Sequence, residues 1–321
     1  MTQGDFIKLQ GNKKELLAYW NKSLPGTTLG TALIFLAECG LISEIYGVSS
    51  LDIAVDARAH SINNILEGEF RVLNAGDIKD AALSVFDSLE NVNQIFVCGG
   101  LQGFQNLSRM MKDSHLQWPE EGRIGYDTTM IVQSLYKQVG MFKPLIFRPE
   151  LNRWSNEIIK NISDGNPIVG LHLKSSNDNN SLGEISLAAQ NVWYEFILIL
   201  STRLNVKFIL LGDDNVDKQI QELPNIVQAN KLGANNFAKH LVLLSMCNGF
   251  MGMMSSLCNL VLFSKIPYVI FKNPGHHKDE MMSEIGLKNH YSFATKCQKV
   301  LRVNETPEVL LKSLSKMPLS I

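Results

Sequence analysis

The sequence predicts an α/β chain of two doubly wound, Rossmann-like units facing across a cleft: residues 1–163, residues 164–303 and a closing helix over 304–321. Three observations carry this. Helix-period stretches alternate with short apolar runs along the chain. Several of those runs are nearly all apolar, as strands buried on both faces of a parallel sheet are. The stretch Ser163-Asp164-Gly165-Asn166-Pro167 is a strong helix stop, after which the pattern restarts.

In the first unit, Thr27 to Leu41 reads as a buried helix opened by the turn Ser23-Leu24-Pro25-Gly26-Thr27. Asp52 to Val55 is a brief strand, and Gln94 to Cys98 is a clear one ending in Gly99-Gly100. Thr128 to Val139 and Leu151 to Ile162 read as helices. In the second unit, strands are expected at Ile168–Leu173, Lys207–Leu211, Ile226–Gln228, Gly249–Met251 and Tyr268–Phe271. Helices are expected at Leu187–Leu204, Asn236–Met246, Ser256–Ser264 and Pro307–Ser315.

Composition narrows the function. With 321 residues, 45% apolar and 19% charged, the chain is of ordinary globular make-up. Its formal net charge of -1 supplies no basic excess to draw it to nucleic acid or anionic lipid. Five scattered cysteines form no CxxC or His-paired zinc spacing, which fits a reduced, cytoplasmic setting. Met1 to Leu17 is polar and lysine-bearing, without the apolar core of a signal peptide. Leu241 to Ser264 has no charged side chain and is long enough to span a bilayer. Asn248, Gly249, Gly252, Ser255, Ser256 and Asn259 cluster in it where a bilayer is driest, so helix, strand and helix in a core is the better reading. No transmembrane segment is therefore expected, which leaves peripheral membrane contact open.

Ligands of open parallel sheets bind beyond the carboxyl ends of the strands. That rule selects His172, Lys174, Ser175 and Ser176; Gly212, Asp213 and Asp214; Ala229 to Gly233; Gly252 to Ser256; and Lys272 to His277. Gly252-Met253-Met254-Ser255-Ser256 runs from a strand into small residues and a helix, a setting that suits phosphate or is a plain serine N-cap. Alternation puts His172 and Lys174 on one strand face, where a cation would neutralise a diphosphate leaving group or simply be solvated. Ser175 to Ser181 is an all-polar loop. Asp213-Asp214 departs from the Asp-x-Asp of metal-dependent transferases and fits a capped turn, and adjacent His276-His277 lacks a third ligand, so no metal is expected. No GxGxxG, GxxxxGK[ST] or GxSxG pattern occurs, which disfavours nicotinamide, P-loop and nucleophile-elbow chemistry; no cofactor is implied. In the first half, Asp56, His60 and Asp127 stand near element ends, each a general-base candidate or a capping residue.

The second half resembles the donor-binding domain of GT-B glycosyltransferases, nearest to heptosyltransferase and fucosyltransferase-like members. The matching residues are Pro167 to Lys174, Trp193 with Phe196, Lys207 to Asp213, Leu244 to Ser256 and Ile266 to Val269. The resemblance implies metal-independent transfer of a sugar from a nucleotide-diphosphate donor to a glycan or lipid-linked hydroxyl acceptor, as in polysaccharide biosynthesis. It gives Lys174, Met254, Ser255 and Ser256 the diphosphate, with His172 and Ser175 beside them. Gly212, Asp213, Asn230, Lys231, Leu232 and Gly233 take the nucleotide. Gly26, Thr27 and Thr28 fall on the acceptor side. The chain departs from the fucosyltransferase-like pattern at Lys174, where arginine is usual, and at Ser256 or Leu257, where glycine is usual. A lysine offers a point charge in place of a bidentate fork. A sugar-nucleotide epimerase on the same fold, or a non-catalytic binding module, are the alternatives.

Overall fold

A computed structural model describes residues 13–20, 29–119, 129–174, 188–203, 205–212, 215–275 and 278–319. The chain divides into two units, Met1–Arg148 and Pro149–Ile321.

The first unit is built on a five-stranded sheet. Its strands are β1 (Glu15–Trp20), β2 (Ser50–Asp56), β3 (Phe70–Val72), β4 (Val92–Cys98) and β5 (His115–Trp118), in the order β3-β4-β2-β1-β5. All pairs are parallel except β3 with β4 at one edge. The polar reading of Met1 to Leu17 hides β1, which lies between β2 and β5 and has five buried residues from Leu16 to Trp20. β1 sends alternate side chains to opposite faces. Leu17 and Tyr19 join Phe96 and Leu107 on the side of α3 (Gly100–Met111). Trp20 meets Phe86 of α2 (Ala81–Asp87) edge-on at 5.4 Å on the other side. The apolar helix α1 (Leu29–Tyr46) is long and apolar enough to cross a membrane, but 67% of it is buried and it packs on α4 (Thr129–Val139) and β1.

The amino ends of these strands are knit by charge. His115 Nε2 lies 3.0 Å from both Asp52 Oδ2 and Glu15 Oε2, joining the starts of β5, β2 and β1. Asp52 Oδ1 also accepts from the Gln94 amide at 3.0 Å, which ties in β4 beside the register shift at Leu51/Asp52. A buried carboxylate needs such partners, since an unmatched one would cost several kcal/mol, about the penalty for a desolvated ion.

The second unit holds a fully parallel six-stranded sheet of β6 (Ile168–His172), β7 (Lys207–Leu210), β8 (Ile226–Gln228), β9 (Gly249–Met253), β10 (Tyr268–Phe271) and β11 (Gln298–Leu301). The order is β11-β10-β9-β6-β7-β8. Numbered within the unit, this is the dinucleotide-fold order whose switch point falls between the first and fourth strands, here β6 and β9. One face carries α6 (Gln190–Arg203) and α11 (Pro307–Leu314), whose Trp193, Phe196 and Leu310 share a core with Val169, Leu171, Met253 and Phe271. The other face carries α8 (Phe237–Ser245): a Cβ on Gly170 would meet Leu244 at 2.7 Å. Asn248 anchors the start of β6, its Oδ1 accepting from the Ile168 amide at 2.8 Å.

Two boundaries differ from expectation. The units divide before α5 (Pro149–Ser163), not after it, because α5 packs on α8 and Lys239 lies over the Trp154 ring at 5.1 Å. The closing helix α11 belongs to the core of the second unit. The helix expected over Ser256–Ser264 shortens to α9 (Cys258–Leu262), since its first turn is spent reversing the chain after β9. The uncharged stretch Leu241 to Ser264 is, as its sequence suggests, part of α8, then β9, then α9. Cys39, Cys98, Cys247 and Cys258 are buried and Cys297 is half-buried, all as free thiols.

Candidate functional site

Because every pair in the second sheet is parallel, the carboxyl ends of β6 to β10 lie along one edge, and four strand steps make it about 19 Å long. The switch point stands within this edge. His172, the last residue of β6, is buried and pairs in register with Gly252 of β9. A Cβ at Gly252 would come within 2.3 Å of the His172 carbonyl, so only glycine lets the two strands close here. Lys174 follows, half-buried, and its carbonyl accepts from the Ala188 amide at 2.9 Å. Beside it, Met254, Ser255 and Ser256 form the turn out of β9. The Met254 amide donates to the Phe271 carbonyl at 2.9 Å, which fixes the turn against β10.

Neither serine caps the helix. The N-cap is Leu257, without a side-chain hydrogen bond, and Ser255 Oγ lies 3.6 Å from the Cys258 thiol. A helix as short as α9 adds little dipole. What the turn offers is two half-buried serines with their hydroxyls. Burial pushes the Cys258 thiol up to about 11, so it stays neutral and inert.

Toward the far edge, Gly212 (φ +90°) lies two residues past β7, its amide donating to His240 Nδ1 at 3.2 Å. After β8 a single 3₁₀ turn, Ala229–Leu232, closes on Gly233 at φ +87°, whose carbonyl accepts from Lys239 Nζ at 2.9 Å. Asn230, Lys231 and Leu232 therefore sit at the β8 end, three strands from the serine turn. A concavity of about 560 Å³ opens between the chain entering α6 and that entering α7 (Lys218–Gln221), lined by Ala188 to Asn191 and Asn215 to Lys218. Sequence reasoning missed it because its walls come from two loops brought together by the pairing of β6 with β7.

Sequence reasoning also left Lys272 as one member of a loop. It follows β10 and is 8% exposed. Desolvation holds its ammonium below the usual lysine range; Glu284 and Glu280 oppose that, and Lys174 adds to it as a like charge.

The first unit shows a different edge. Its parallel strands β4-β2-β1-β5 place a switch point between β1 and β5. Asp56 ends β2, buried; it accepts from the Arg58 amide at 2.8 Å and faces the Arg58 guanidinium at 3.6 Å. Tyr19, on the neighbouring strand, is held neutral by burial and then by Asp56 and Cys98. Gly99 and Gly100 lie under a tight cover: a Cβ on Gly99 would strike the Leu66 carbonyl, and Gly100 adopts φ +68° against Arg58 and Glu67. His60 is 2% exposed; its Nδ1 meets Asp80, the N-cap of α2, while Nε2 finds no hydrogen-bond partner among the described residues. Asp56 and His60 thus lie close in the chain and are both buried, the first at the end of β2 beside Arg58 and the second against Trp20 and Asp80. Asp127, Gly26, Thr27, Thr28, Ser175 and Asp213 lie outside the described residues, as do Asp214, His276 and His277. Among the described residues no three His, Cys, Asp or Glu side chains gather as metal ligands.

No protein-family model matches the chain, and no curated protein is detectably similar in sequence. Solved structures are similar in fold. A glycosyl transferase family 9 protein from Veillonella parvula superposes with a TM-score of 0.54 at 10% identity, over 96% of this chain and 91% of its own. The E. coli ADP-heptose lps heptosyltransferase II gives 0.54 at 10% identity, over 95% and 98%. The fucosyltransferase NodZ from Bradyrhizobium, at 0.36, is too distant to add to this. The chain has the two-unit GT-B fold of these transferases.

Proposed function

We propose that this chain is a glycosyltransferase that moves a sugar from a nucleotide-diphosphate donor to a glycan or other hydroxyl acceptor, without a metal. One observation carries the reading: the switch point of a fully parallel sheet brings His172, Lys174 and the Met254–Ser256 turn together at adjacent strand ends. The similarity in fold to a heptosyltransferase supports the same reaction class.

In this reading the acceptor oxygen attacks the anomeric carbon of the donor. The bond from that carbon to the diphosphate oxygen breaks, and the nucleoside diphosphate leaves with the electron pair. Lys174 offsets the charge that develops on the leaving group, and the hydroxyls of Ser255 and Ser256 donate to its oxygens, an electrostatic contribution that ranks among the largest in such reactions. Gly212 and the Asn230–Gly233 turn, farther along the edge, line the nucleoside portion. Asp56 takes the acceptor proton. It ends β2 beside Arg58, whereas His60 is held by Asp80. Asp127 and Gly26 to Thr28, outside the described residues, stay acceptor-side candidates on the sequence alone.

The test is a melting-temperature panel of ADP, GDP, UDP, CDP and dTDP on the wild type and on Lys174→Ala. A ligand that binds only the folded chain raises apparent stability. One diphosphate should raise the wild-type midpoint, and the lysine change should remove most of that rise. No shift with any diphosphate, or an unchanged shift in the variant, refutes the reading. Product analysis with the donor alone separates transfer from epimerisation.

A further inference from the structure

We propose that Lys272 is a second binding cation for the donor diphosphate, meeting it from the β10 side of the Met254–Ser256 turn while Lys174 meets it from the β6 side. The inference rests on the proposed function above.

The geometry comes from the sheet. β9 lies between β6 and β10, with His172 opposite Gly252 and Phe271 opposite Met253. Lys174 stands two residues past the end of β6 and Lys272 one residue past the end of β10. Both therefore flank the turn that leaves β9. They also share a face. Val169, Leu171, Leu173, Met251, Met253, Val269 and Phe271 all belong to the core beneath α6 and α11. By the alternation of strands, Lys174 and Lys272, each one position on, turn to the opposite face, where α8 and α9 pack. The strands that carry them are two steps apart, about 10 Å, a gap two lysine stems can close from either side.

The charges make the same point. Lysine is almost never fully buried unless it is paired. Here Lys272 is nearly buried beside a second ammonium. The groups that face it are Lys174 beyond β6, Cys258 on α9, and Glu280 and Glu284 on α10 (Lys278–Ile285). Glu284 is shared, since it accepts from the Tyr291 hydroxyl at 2.9 Å. These carboxylates favour the charge but do not outweigh the loss of water. Two ammoniums astride a turn that carries two hydroxyls are relieved by an anion with two negative centres, and a diphosphate supplies them.

A purely structural lysine, holding α10 through its glutamates, is the competing role. Titration calorimetry separates the two, with the binding nucleoside diphosphate and its monophosphate, on wild type, Lys272→Met, Lys272→Arg and Lys174→Ala. Circular dichroism and melting report folding. Lys272→Met keeps the stem and removes the charge; it should weaken the diphosphate about 10- to 100-fold, a loss typical of one charged hydrogen bond, and weaken the monophosphate less. Lys272→Arg should restore most of the difference. In the wild type, diphosphate affinity should fall as pH rises from about 7 to 10, because a desolvated ammonium loses its proton early, and Lys272→Arg should flatten that slope. A folded Lys272→Met variant with wild-type diphosphate affinity overturns the proposal and leaves Lys174 and the proposed function standing. Should Lys272→Met not fold, a wild-type affinity that stays flat across that pH range overturns it instead. If no diphosphate binds the wild type, the proposed function fails, and this inference with it.

Discussion

Among the described residues, the carboxyl edges of the two sheets carry different charged side chains. In the second unit the edge at the switch point presents two lysines and two hydroxyls around a glycine-tight strand pair. In the first unit the corresponding edge presents Asp56 and a paired Arg58, with buried His60 held by Asp80. In the proposed reading the second unit's edge binds the anion and the first unit's edge accepts the proton. Both sheets have parallel strands at the switch point, and the side chains that follow those strands differ.

The largest expected effect breaks this division of labour directly. Asp56→Asn should lower turnover by about 10²- to 10⁴-fold, the range for loss of a general base, while nucleoside diphosphate affinity stays as in the wild type. Steady-state rates and calorimetry on one preparation check it; lost binding with spared turnover would exchange the roles of the two edges. Next comes Trp193→Ala, in the core of the second unit. Trp193 is fully buried, edge-on to Phe196 at 5.8 Å and to Phe271 at 5.7 Å, and its Nε1 donates to Glu305 at 3.3 Å. Its removal should cost about 3–5 kcal/mol, read by denaturant unfolding.

A matched pair sharpens the contrast. Gly252→Ala and Gly99→Ala each drive a Cβ into a backbone carbonyl and should each destabilise by at least about 1–3 kcal/mol, as overpacked sites do. Only Gly252→Ala should also weaken nucleotide binding, since only it parts β6 from β9. Equal loss of binding in both would erase the distinction between the edges. The smallest effect lies away from both. Arg71 holds the Asp77 carboxyl below its ordinary range through a hydrogen bond. A depressed carboxyl stabilises the fold above its unfolded value, and that stability is lost as pH falls through the folded value. Arg71→Ala should cost about 0.5 kcal/mol near neutrality, because the pair is solvent-screened, and should remove that acid-side decline.

The second unit was the more legible in sequence, for a physical reason. Strands covered on both faces must be apolar throughout, so Ile168–His172, Lys207–Leu210 and Tyr268–Phe271 stand out as runs, and the residues after them name the edge. The first unit hid β1, because Lys13 and Lys14 precede it, Glu15 opens it and its apolar part is only five residues long. β5 begins with His115, whose burial depends on carboxylates 63 and 100 positions away in the chain. Neither proximity leaves a local signal. Lys272 was unreadable for a similar reason: a lysine after a strand looks solvated until Glu284, Cys258 and Lys174 are placed around it. The short helix after Ser256 was misjudged because the apolar run to Phe263 suits a helix or a turn equally.

The distribution of thiols has a practical consequence. Four of the five cysteines are sealed inside the two cores, leaving Cys297, just ahead of β11, as the partly accessible one. A maleimide fluorophore added to the native protein should attach there and nowhere else, placing a reporter on the second unit without any cysteine having to be removed. An experimenter could then follow how nucleotide occupancy alters the environment of that unit by emission alone, in a chain whose covalent structure is otherwise untouched.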